Sequence, residues 1–190
     1  MDTVLAVAPE GTAAALFLRP WTDDDIPAML AAHRDPVMRR WLRHPITTAE
    51  QARHVVERRQ ADGRAATRFS FAVLETVDGV AGTLVGSVSI RGLDGAALTG
   101  ETGEVGYWVA SSARGRGIAP RALSALCDWA FRSPRIRPLE RLHLIHAVGN
   151  QASCRVAEKA NFALSAVLPP LPPEFPQDGH LHIRARTEAA

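Results

Sequence analysis

The stretch Arg114-Gly115-Arg116-Gly117-Ile118-Ala119 decides the fold and indicates a ligand. It follows a strand-like run, Glu104 to Val109, and opens a helix-like run, Ile118 to Phe131. Glycine lets backbone N–H groups approach a ligand closely, and the first turn of a helix leaves N–H groups unpaired at the positive end of its dipole. Arg114 and Arg116 add guanidinium groups that match phosphate geometry. Strand, glycine-arginine loop and helix start together predict a phosphate-binding turn.

Size and composition favour one globular domain without a strongly charged partner. The chain has 190 residues, of which 46% are hydrophobic and 22% are charged, and its formal net charge is +2. These values are typical of a folded globular protein and give no reason to expect direct nucleic-acid or membrane binding. Lys159 is the only lysine among 22 basic residues, so anion binding must fall to arginine or to backbone N–H groups.

Cysteine content and the first residues favour a cytoplasmic location. The two cysteines, Cys127 and Cys154, are too few for a disulfide framework, and no four-ligand zinc spacing is present. The first residues contain Asp2 and Glu10 but no basic residue, unlike a secretory signal. No apolar run approaches the ~18 residues that a membrane-spanning helix needs. We therefore expect a soluble, cytoplasmic protein with reduced cysteines.

The order of the elements predicts an α/β or α+β domain around a central mixed sheet. Residues 1 to 13 indicate a flexible tail, and residues 14 to 190 a single domain. Alternation and turn residues predict strands at Ala14 to Arg19, Phe69 to Leu74, Leu84 to Arg91, Glu104 to Val109, Leu142 to Ala147 and Leu181 to Arg186. Capping residues and apolar periodicity predict helices at about 22 to 34, 37 to 42, 48 to 62, 118 to 131 and 150 to 160.

Two short motifs stand in order along these elements. Arg114-x-x-Gly117-x-Ala119 lies between the fourth predicted strand and its helix, and Asn150-x-x-Ser153 opens the helix after the fifth strand. Together they resemble the signatures of the GNAT (GCN5-related) N-acetyltransferases, Arg/Gln-x-x-Gly-x-Gly/Ala and Asn-x-x-Ser. The resemblance extends over almost all of the chain after residue 14. It implies the GNAT fold, a mixed, mostly antiparallel, twisted sheet that is flanked by helices and splayed between the fourth and fifth strands.

A further segment indicates a subgroup. Asp35-Pro36-Val37-Met38, with Arg40-Trp41-Leu42, is similar to a segment of the ribosomal-protein N-acetyltransferases. That resemblance implies acetyl-CoA as co-substrate, no metal, and a protein N-terminal α-amine as acceptor. A small-molecule or antibiotic amine as acceptor, and a non-catalytic acyl-CoA-binding sensor, stay open as alternatives, and so does a homodimer. A nucleotide-binding protein using the same loop is disfavoured, since a Walker Gly-Lys-Ser/Thr ending is missing from the sequence.

By resemblance, the cofactor is expected along the fourth strand and the turn after it. The diphosphate is expected on the turn residues, which are Arg114, Gly115, Arg116, Gly117, Ile118 and Ala119. The pantetheine arm is expected to pair with the backbone at Val109, and an N–H group of Val109 or Ala110 to hold the thioester carbonyl. Asn150 and Ser153 are expected to face the thioester.

Glu104 and Ser153 are the candidate catalytic residues. Attack on a thioester needs a neutral amine, and an α-amine with a pKa of ~8 loses its proton more readily than a lysine at ~10.4. Glu104 matches the position where many family members carry a glutamate base, and Glu101 is a weaker second choice. Many relatives protonate the leaving thiolate with a tyrosine after the fourth helix. Here the only tyrosine, Tyr107, lies on the fourth strand, so that acid is absent and Ser153 is expected to replace it. The alternative roles are structural, a sheet-surface acid for Glu104 and helix packing for Ser153.

Seven histidines raise the question of a metal site. His143 and His146 point to opposite faces of their predicted strand, whereas His180 and His182 share a face without an evident third ligand. We therefore expect structural or surface roles for these histidines and no metal. Cys154 has no partner base in the sequence pattern, so a covalent acyl-enzyme on this thiol is not expected.

Overall fold

Eight strands and five α-helices build the part of the chain that the computed structural model describes, residues 3–42, 44–77, 80–93 and 101–187. The strands are β1 (Leu5–Val7), β2 (Leu16–Pro20), β3 (Phe69–Val77), β4 (Val80–Arg91), β5 (Thr102–Val109), β6 (Arg141–Ala147), β7 (Ala163–Leu168) and β8 (Gly179–Ala185). The helices are α1 (Ile26–His33), α2 (Pro36–Trp41), α3 (Ala49–Arg64), α4 (Ile118–Arg132) and α5 (Gln151–Lys159). None of these helices is long and apolar enough to cross a membrane.

All eight strands form one mixed sheet, which opens at a single place. Its strand order is β1-β2-β3-β4-β5-β6-β8-β7, and every neighbouring pair is antiparallel except β5 and β6. The parallel pairing of β5 with β6 runs only from Thr102 opposite Arg141 to Val105 opposite Leu144. The last residues of β5 therefore separate from β6 and leave a gap, hereafter the splay. This confirms the predicted fold class and the predicted position of the splay.

Two apolar layers cover the two faces of the sheet. The larger one packs α4 and α5 against the side of β5 that carries Val105 and Tyr107. The smaller one packs α1 and α3 around Trp21 on the opposite side, where Trp108 joins it. The periodic apolar face of α4 supplies six buried side chains to the larger layer, those of Ile118, Ala122, Leu123, Leu126, Cys127 and Ala130. Burying a leucine or isoleucine side chain stabilises the folded state by about 1.5–3 kcal/mol. The buried face therefore holds α4 against the sheet and so fixes the position of its first turn.

Local sequence signals explain the ends of two helices near the sheet. Thr48 caps α3, because its hydroxyl accepts a hydrogen bond from the Gln51 N–H group at 3.2 Å. Gln51 in turn accepts from the Thr48 N–H group at 3.3 Å, which completes a capping box. Asn161 follows α5 with φ of 60°, a left-handed conformation that asparagine tolerates at the end of a helix.

Two strands differ from the sequence prediction. The expected tail over residues 1 to 13 contains β1, in which Leu5 to Val7 pair with Leu18 to Leu16. The guanidinium group of Arg121 also donates hydrogen bonds to the Ala8 and Ala14 carbonyl oxygens, which ties this segment to α4. β7 was not predicted, because it is an edge strand with a register shift and lacks a buried face. A short strand and an exposed strand both lack the alternation that identifies a strand in sequence.

His33, the last residue of α1, is buried and uncharged and contacts β5. Its Nδ1 accepts a hydrogen bond from the Ile46 N–H group at 3.0 Å, and its ring meets Trp108 edge-on at a centroid distance of 5.9 Å. Burial, reinforced by the nearby Arg59 charge, lowers the pKa of His33 to about 4. The folded protein therefore excludes a proton that the unfolded chain binds below pH ~6.5.

We expect this histidine to make the protein less stable in acid. Between pH ~6.5 and pH ~4 the unfolded chain carries the extra proton, so the free energy of unfolding falls as the pH falls through that window. The pKa difference corresponds to about 3 kcal/mol, most of which is lost by pH ~4. Urea unfolding of the wild type and of His33→Asn at both ends of the window measures the effect. Asparagine can accept the same hydrogen bond but does not titrate, so an equal loss in both proteins would contradict the assignment.

Candidate functional site

The turn between β5 and α4 is shaped by two glycines. After a short 3-10 turn over Ser111–Ala113, the chain passes Gly115 with φ of +76° and Gly117 with φ of +71° before α4 begins. Side chains rarely adopt this left-handed conformation, which explains the glycines. A Cβ atom added to either glycine would meet nothing within 4 Å. The turn therefore borders open space rather than packed protein.

The backbone of this turn presents a row of unpaired donors. Across the described residues, no N–H group from Gly115 to Ala119 donates a hydrogen bond, and Gly117 provides no side-chain cap for α4. The first backbone bond into the helix is that of Arg121 N–H to the Gly117 carbonyl, at 3.4 Å, and Pro120 has no N–H group. Unpaired N–H groups at the positive end of a helix dipole form an anion-binding site. The donors are thus the backbone groups that the sequence predicts.

Both arginines of the turn are engaged with carboxylates. Arg114 donates to Asp35 at the start of α2, and Arg116 donates to Glu75 on β3. Desolvation opposes ionisation of Asp35, but the hydrogen bonds from Arg114 and from the Val37 N–H group outweigh it and lower the pKa of this carboxyl. The guanidinium groups therefore hold the turn against its neighbours, and the backbone N–H groups are left as the donors facing open space.

The end of β5 directs alternate backbone groups into the splay. The Ala110 N–H group donates to the Val85 carbonyl on β4 at 2.9 Å, so it is not available to a thioester, and that part of the sequence expectation is wrong. In an antiparallel ladder, alternate residues turn their polar groups to the same neighbour. The N–H groups of Tyr107 and Val109 therefore face away from β4. They point into the gap, because β6 pairs with β5 only as far as Val105.

Ser153 lies beside Tyr107 at the edge of the splay. The two hydroxyl oxygens are 2.7 Å apart, and Ser153 is 7% exposed. Asn150 caps α5 by accepting a hydrogen bond from the Ser153 N–H group at 3.3 Å, which fixes the serine in the first turn. Burial raises the pKa of Tyr107, although the bond with Ser153 opposes the shift, so the phenol stays protonated at neutral pH. The sequence places Tyr107 on a strand, apart from Ser153, whereas the structure brings the phenol from that strand to within hydrogen-bond distance of the serine.

Glu104 lies on the opposite face of the sheet from this hydroxyl pair. It shares its face of β5 with Gly106 and Trp108, while Tyr107 faces α5. Its carboxylate accepts a hydrogen bond from Arg91, directly opposite on β4, and its side chain is 21% exposed. His143 on β6 is its parallel neighbour. The structure thus does not bring Glu104 into contact with Ser153, because the two lie on opposite faces of the sheet.

Helix α2 links the two sides of the splay. At its first end, Asp35 binds Arg114 of the turn. At its other end, the indole of Trp41 lies 3.7 Å from the position that a Cβ atom on Gly149 would take, one residue before Asn150. Met38, in the middle of α2, is buried at 5% exposure. This helix therefore borders the splay on the Glu104 side of the molecule.

The elements that build this site also match a known protein family. Residues 15–163 match the family model described as Acetyltransferase (GNAT) domain. The chain belongs to this family. The recognition made from Arg114, Gly117, Ala119 and the Asn150 motif is confirmed. The match covers α1 to α5 and the strands β2 to β6, and therefore includes the turn, the splay and Ser153.

Relatives of this GNAT chain include proteins that are named for ribosomal N-acetyltransferases. YdaF of Bacillus subtilis (strain 168), provisionally named as one, is 35% identical over 81 residues. That alignment covers 43% of this chain and 41% of YdaF, so the match spans less than half of that relative. Solved structures that share the fold include the following two. Microcin C7 self immunity acetyltransferase MccE, in complex with acetyl-CoA and AMP, has a TM-score of 0.76 at 16% identity over 93% of this chain and 94% of its own. The ribosomal L7/L12 α-N-protein acetyltransferase RimL, in complex with CoA, has a TM-score of 0.75 at 21% identity over 94% and 97%.

Proposed function

We propose that this GNAT chain is an acetyl-CoA-dependent N-acetyltransferase that acetylates a protein N-terminal α-amine. The observation that carries the proposal is the row of unpaired N–H groups from Gly115 to Ala119, which borders open space after the strand that separates from β6. Membership of the family supports acetyl transfer, and the likeness to YdaF and RimL supports a ribosomal-protein N-terminus as acceptor.

The cofactor binds along the path that the backbone leaves open. The N–H groups of the turn bind its diphosphate, as helix starts bind phosphate in general. The pantetheine arm lies in the splay and pairs with the free backbone groups of Tyr107 and Val109. The Val109 N–H group then donates to the thioester carbonyl oxygen and stabilises the negative charge that develops there. This path brings the sulfur to Tyr107 and Ser153.

The chemistry divides between the two faces of the sheet. Glu104 accepts a proton from the acceptor ammonium through a water molecule, and the neutral amine attacks the thioester carbonyl carbon. The new N–C bond forms, the C–S bond breaks, and the electron pair of that bond leaves on sulfur. The nitrogen then loses its second proton to solvent, and Glu104 releases the first one to solvent, which yields the neutral amide and regenerates the base. The hydroxyl pair of Tyr107 and Ser153 donates a proton to the leaving thiolate and regains one from solvent. Base and acid therefore act from opposite sides of the splay, which prevents direct proton exchange between them.

The acceptor enters beside α2. Asp35 holds the end of α2 that lies next to the turn, and Trp41 packs near Gly149 at the other end. The N-terminus of an acceptor protein that lies along α2 therefore reaches Glu104 with its amine first.

Thiol release from acetyl-CoA with a panel of acceptors tests this proposal. The panel contains peptides with free N-termini of differing first residues, the same peptides with blocked N-termini and an internal lysine, and polyamine and aminoglycoside amines. We expect turnover with free N-termini only, and mass spectrometry to place one acetyl group on the α-amine. Turnover with a small amine and with none of the peptides would instead identify small-molecule amines as the acceptors. Binding of acetyl-CoA without turnover on any acceptor would favour a sensor module.

Glu104→Gln tests the base. Glutamine keeps the shape and a hydrogen bond to solvent but cannot take the proton, so we expect kcat to fall at least about tenfold near pH 7 while the acetyl-CoA affinity stays unchanged. The loss should shrink as the pH rises, because the amine then arrives neutral. Glu101→Gln tests the second candidate, an exposed carboxylate just before the same strand, and should retain wild-type kcat. Full activity of Glu104→Gln from pH 6 to pH 9 would remove Glu104 from the mechanism.

A further inference from the structure

Four side chains with metal-binding atoms meet beside Ser153. They come from β6, α5 and β8, and we refer to them as the His–Cys cluster: His146, Cys154, His180 and His182. Their potential ligand atoms all lie within 4.8 Å of one another. The sequence expectation that His180 and His182 lack a third ligand is therefore wrong, because β6 and α5 supply two more.

The fold explains why these residues meet. β6 and β8 are antiparallel, with His146 directly opposite His180, and His182 lies two residues further along the same face of β8. α5 packs over that face and brings Cys154 from its first turn. Cross-strand partners and their diagonal neighbours lie close enough for side-chain contact, so the register alone places the three imidazoles together.

The distances match a tetrahedral ion with nitrogen and sulfur ligands. His146 Nε2 is 3.2 Å from His182 Nε2, and Cys154 Sγ is 3.6 Å from His146 Nε2 and 3.2 Å from His180 Nδ1. Zinc binds imidazole nitrogen at ~2.0–2.1 Å and thiolate sulfur at ~2.3 Å, which gives tetrahedral edges of about 3.4 Å between nitrogens and about 3.6 Å between nitrogen and sulfur. Three of the six separations therefore lie within about 0.4 Å of these edges. The longest separation, up to 4.8 Å, has to close by about 1.2–1.4 Å through rotation of the side chains.

The surroundings of His146 fix the tautomer that a metal requires. The Nδ1 atom of His146 lies 2.9 Å from the Ala147 carbonyl oxygen, which accepts its proton in a hydrogen bond and leaves the Nε2 lone pair facing the cluster. A ligand histidine whose other nitrogen binds a backbone carbonyl is the usual arrangement in metal proteins, because it fixes the tautomer and the ring orientation.

We propose that the His–Cys cluster binds one zinc ion in a closed site with four protein ligands. Three imidazoles and one thiolate suit Zn²⁺ better than Ca²⁺ or Mg²⁺, which prefer oxygen ligands. Four protein ligands leave no open position for water, so the ion has a structural role. It joins α5 to β6 and β8 and so holds the first turn of α5, which carries Ser153, against the sheet. This inference does not depend on acetyl transfer.

Metal titration of the full chain, after treatment with a chelator and a reductant, tests the site. We expect Zn²⁺ to bind with one-to-one stoichiometry and to raise the melting temperature. Co²⁺ should give the visible bands of a tetrahedral ion together with a thiolate charge-transfer band. Zinc should also protect Cys154 from alkylation. Cys127 is an internal reference, since it is fully buried and burial raises the pKa of its thiol to about 12, so it should stay unmodified throughout.

Variants separate this site from weak surface binding. Cys154→Ser should abolish the charge-transfer band and weaken Zn²⁺ binding about 100-fold, and His180→Ala should weaken it to a similar extent. His143→Ala is the matched control, because His143 lies on the same strand as His146 but on the opposite face, and it should bind zinc as the wild type does. Circular dichroism of each variant shows whether it is folded. Absence of one-to-one binding, or equal affinity of the two cluster variants and His143→Ala, would overturn the proposal.

Discussion

Gly117→Trp is expected to abolish binding of CoA and acetyl-CoA. The missing side chain of Gly117 faces open space, with nothing within 4 Å of its Cβ position, and the proposed diphosphate fills that space. An indole there displaces the diphosphate from the N–H groups of the turn. A hydrogen bond to a charged group contributes about 1.5–3 kcal/mol, so losing two of them weakens binding more than a hundredfold. Calorimetric titration with CoA measures the loss.

Gly117→Ala controls for the backbone conformation. With φ of +71°, any residue other than glycine is strained at this position, and both substitutions should lower the free energy of unfolding by about 1–2 kcal/mol. Only the tryptophan also fills the open space. We therefore expect the alanine variant to bind CoA within a few-fold of the wild type. Wild-type affinity in Gly117→Trp would show that the cofactor does not use this turn.

Loss of the hydroxyl pair should have the second-largest effect. Tyr107→Phe and Ser153→Ala each remove one of the two oxygens that lie 2.7 Å apart beside the proposed thiol position. Because the leaving thiolate then has no positioned donor, we expect kcat to fall about 100-fold in either variant, with the KM for acetyl-CoA nearly unchanged. Steady-state kinetics at saturating acceptor give both constants.

The double variant distinguishes a proton donor from a packing contact. If the two hydroxyl groups act as one unit, Tyr107→Phe combined with Ser153→Ala is no slower than either single variant. Ser165→Ala, on the exposed edge strand β7, is the control for a serine outside the site and should retain wild-type kcat. If the KM for acetyl-CoA rises by a similar factor in both single variants and kcat changes little, the pair has a role in substrate binding. Wild-type kinetics in both single variants would exclude the proposed acid.

Much of the fold follows from local signals in the sequence. The caps at Thr48 and Asn150, the left-handed residue Asn161 and the apolar face of α4 are each readable from a few neighbouring residues, and each appears in the structure. The turn is readable for the same reason, since strand, glycines and helix start are adjacent in the chain. Features that depend on short-range chemistry could therefore be predicted.

The parts that could not be predicted depend on register between distant segments. Tyr107 and Ser153 are 46 residues apart, and no pattern in either segment indicates that they share a hydrogen bond. The position of Tyr107 on a strand led to the expectation that no tyrosine acid exists. The His–Cys cluster was missed in the same way, because it requires His146 to stand opposite His180 across β6 and β8. The spacing of His180 and His182 correctly indicates that they share a face of their strand. It does not show which residues of β6 lie opposite them.

Backbone amide shifts of the turn test the central claim most directly. In ¹H–¹⁵N spectra of the wild-type chain titrated with CoA, we expect the N–H resonances of Gly115, Gly117 and Ile118 to move furthest, and to move downfield, because their protons bind the diphosphate. The same resonances should move with 3′-phospho-ADP, which contains the diphosphate without pantetheine. Binding of CoA with these resonances unmoved, or no binding at all, would contradict the assignment of the turn and of the acetyltransferase mechanism built upon it.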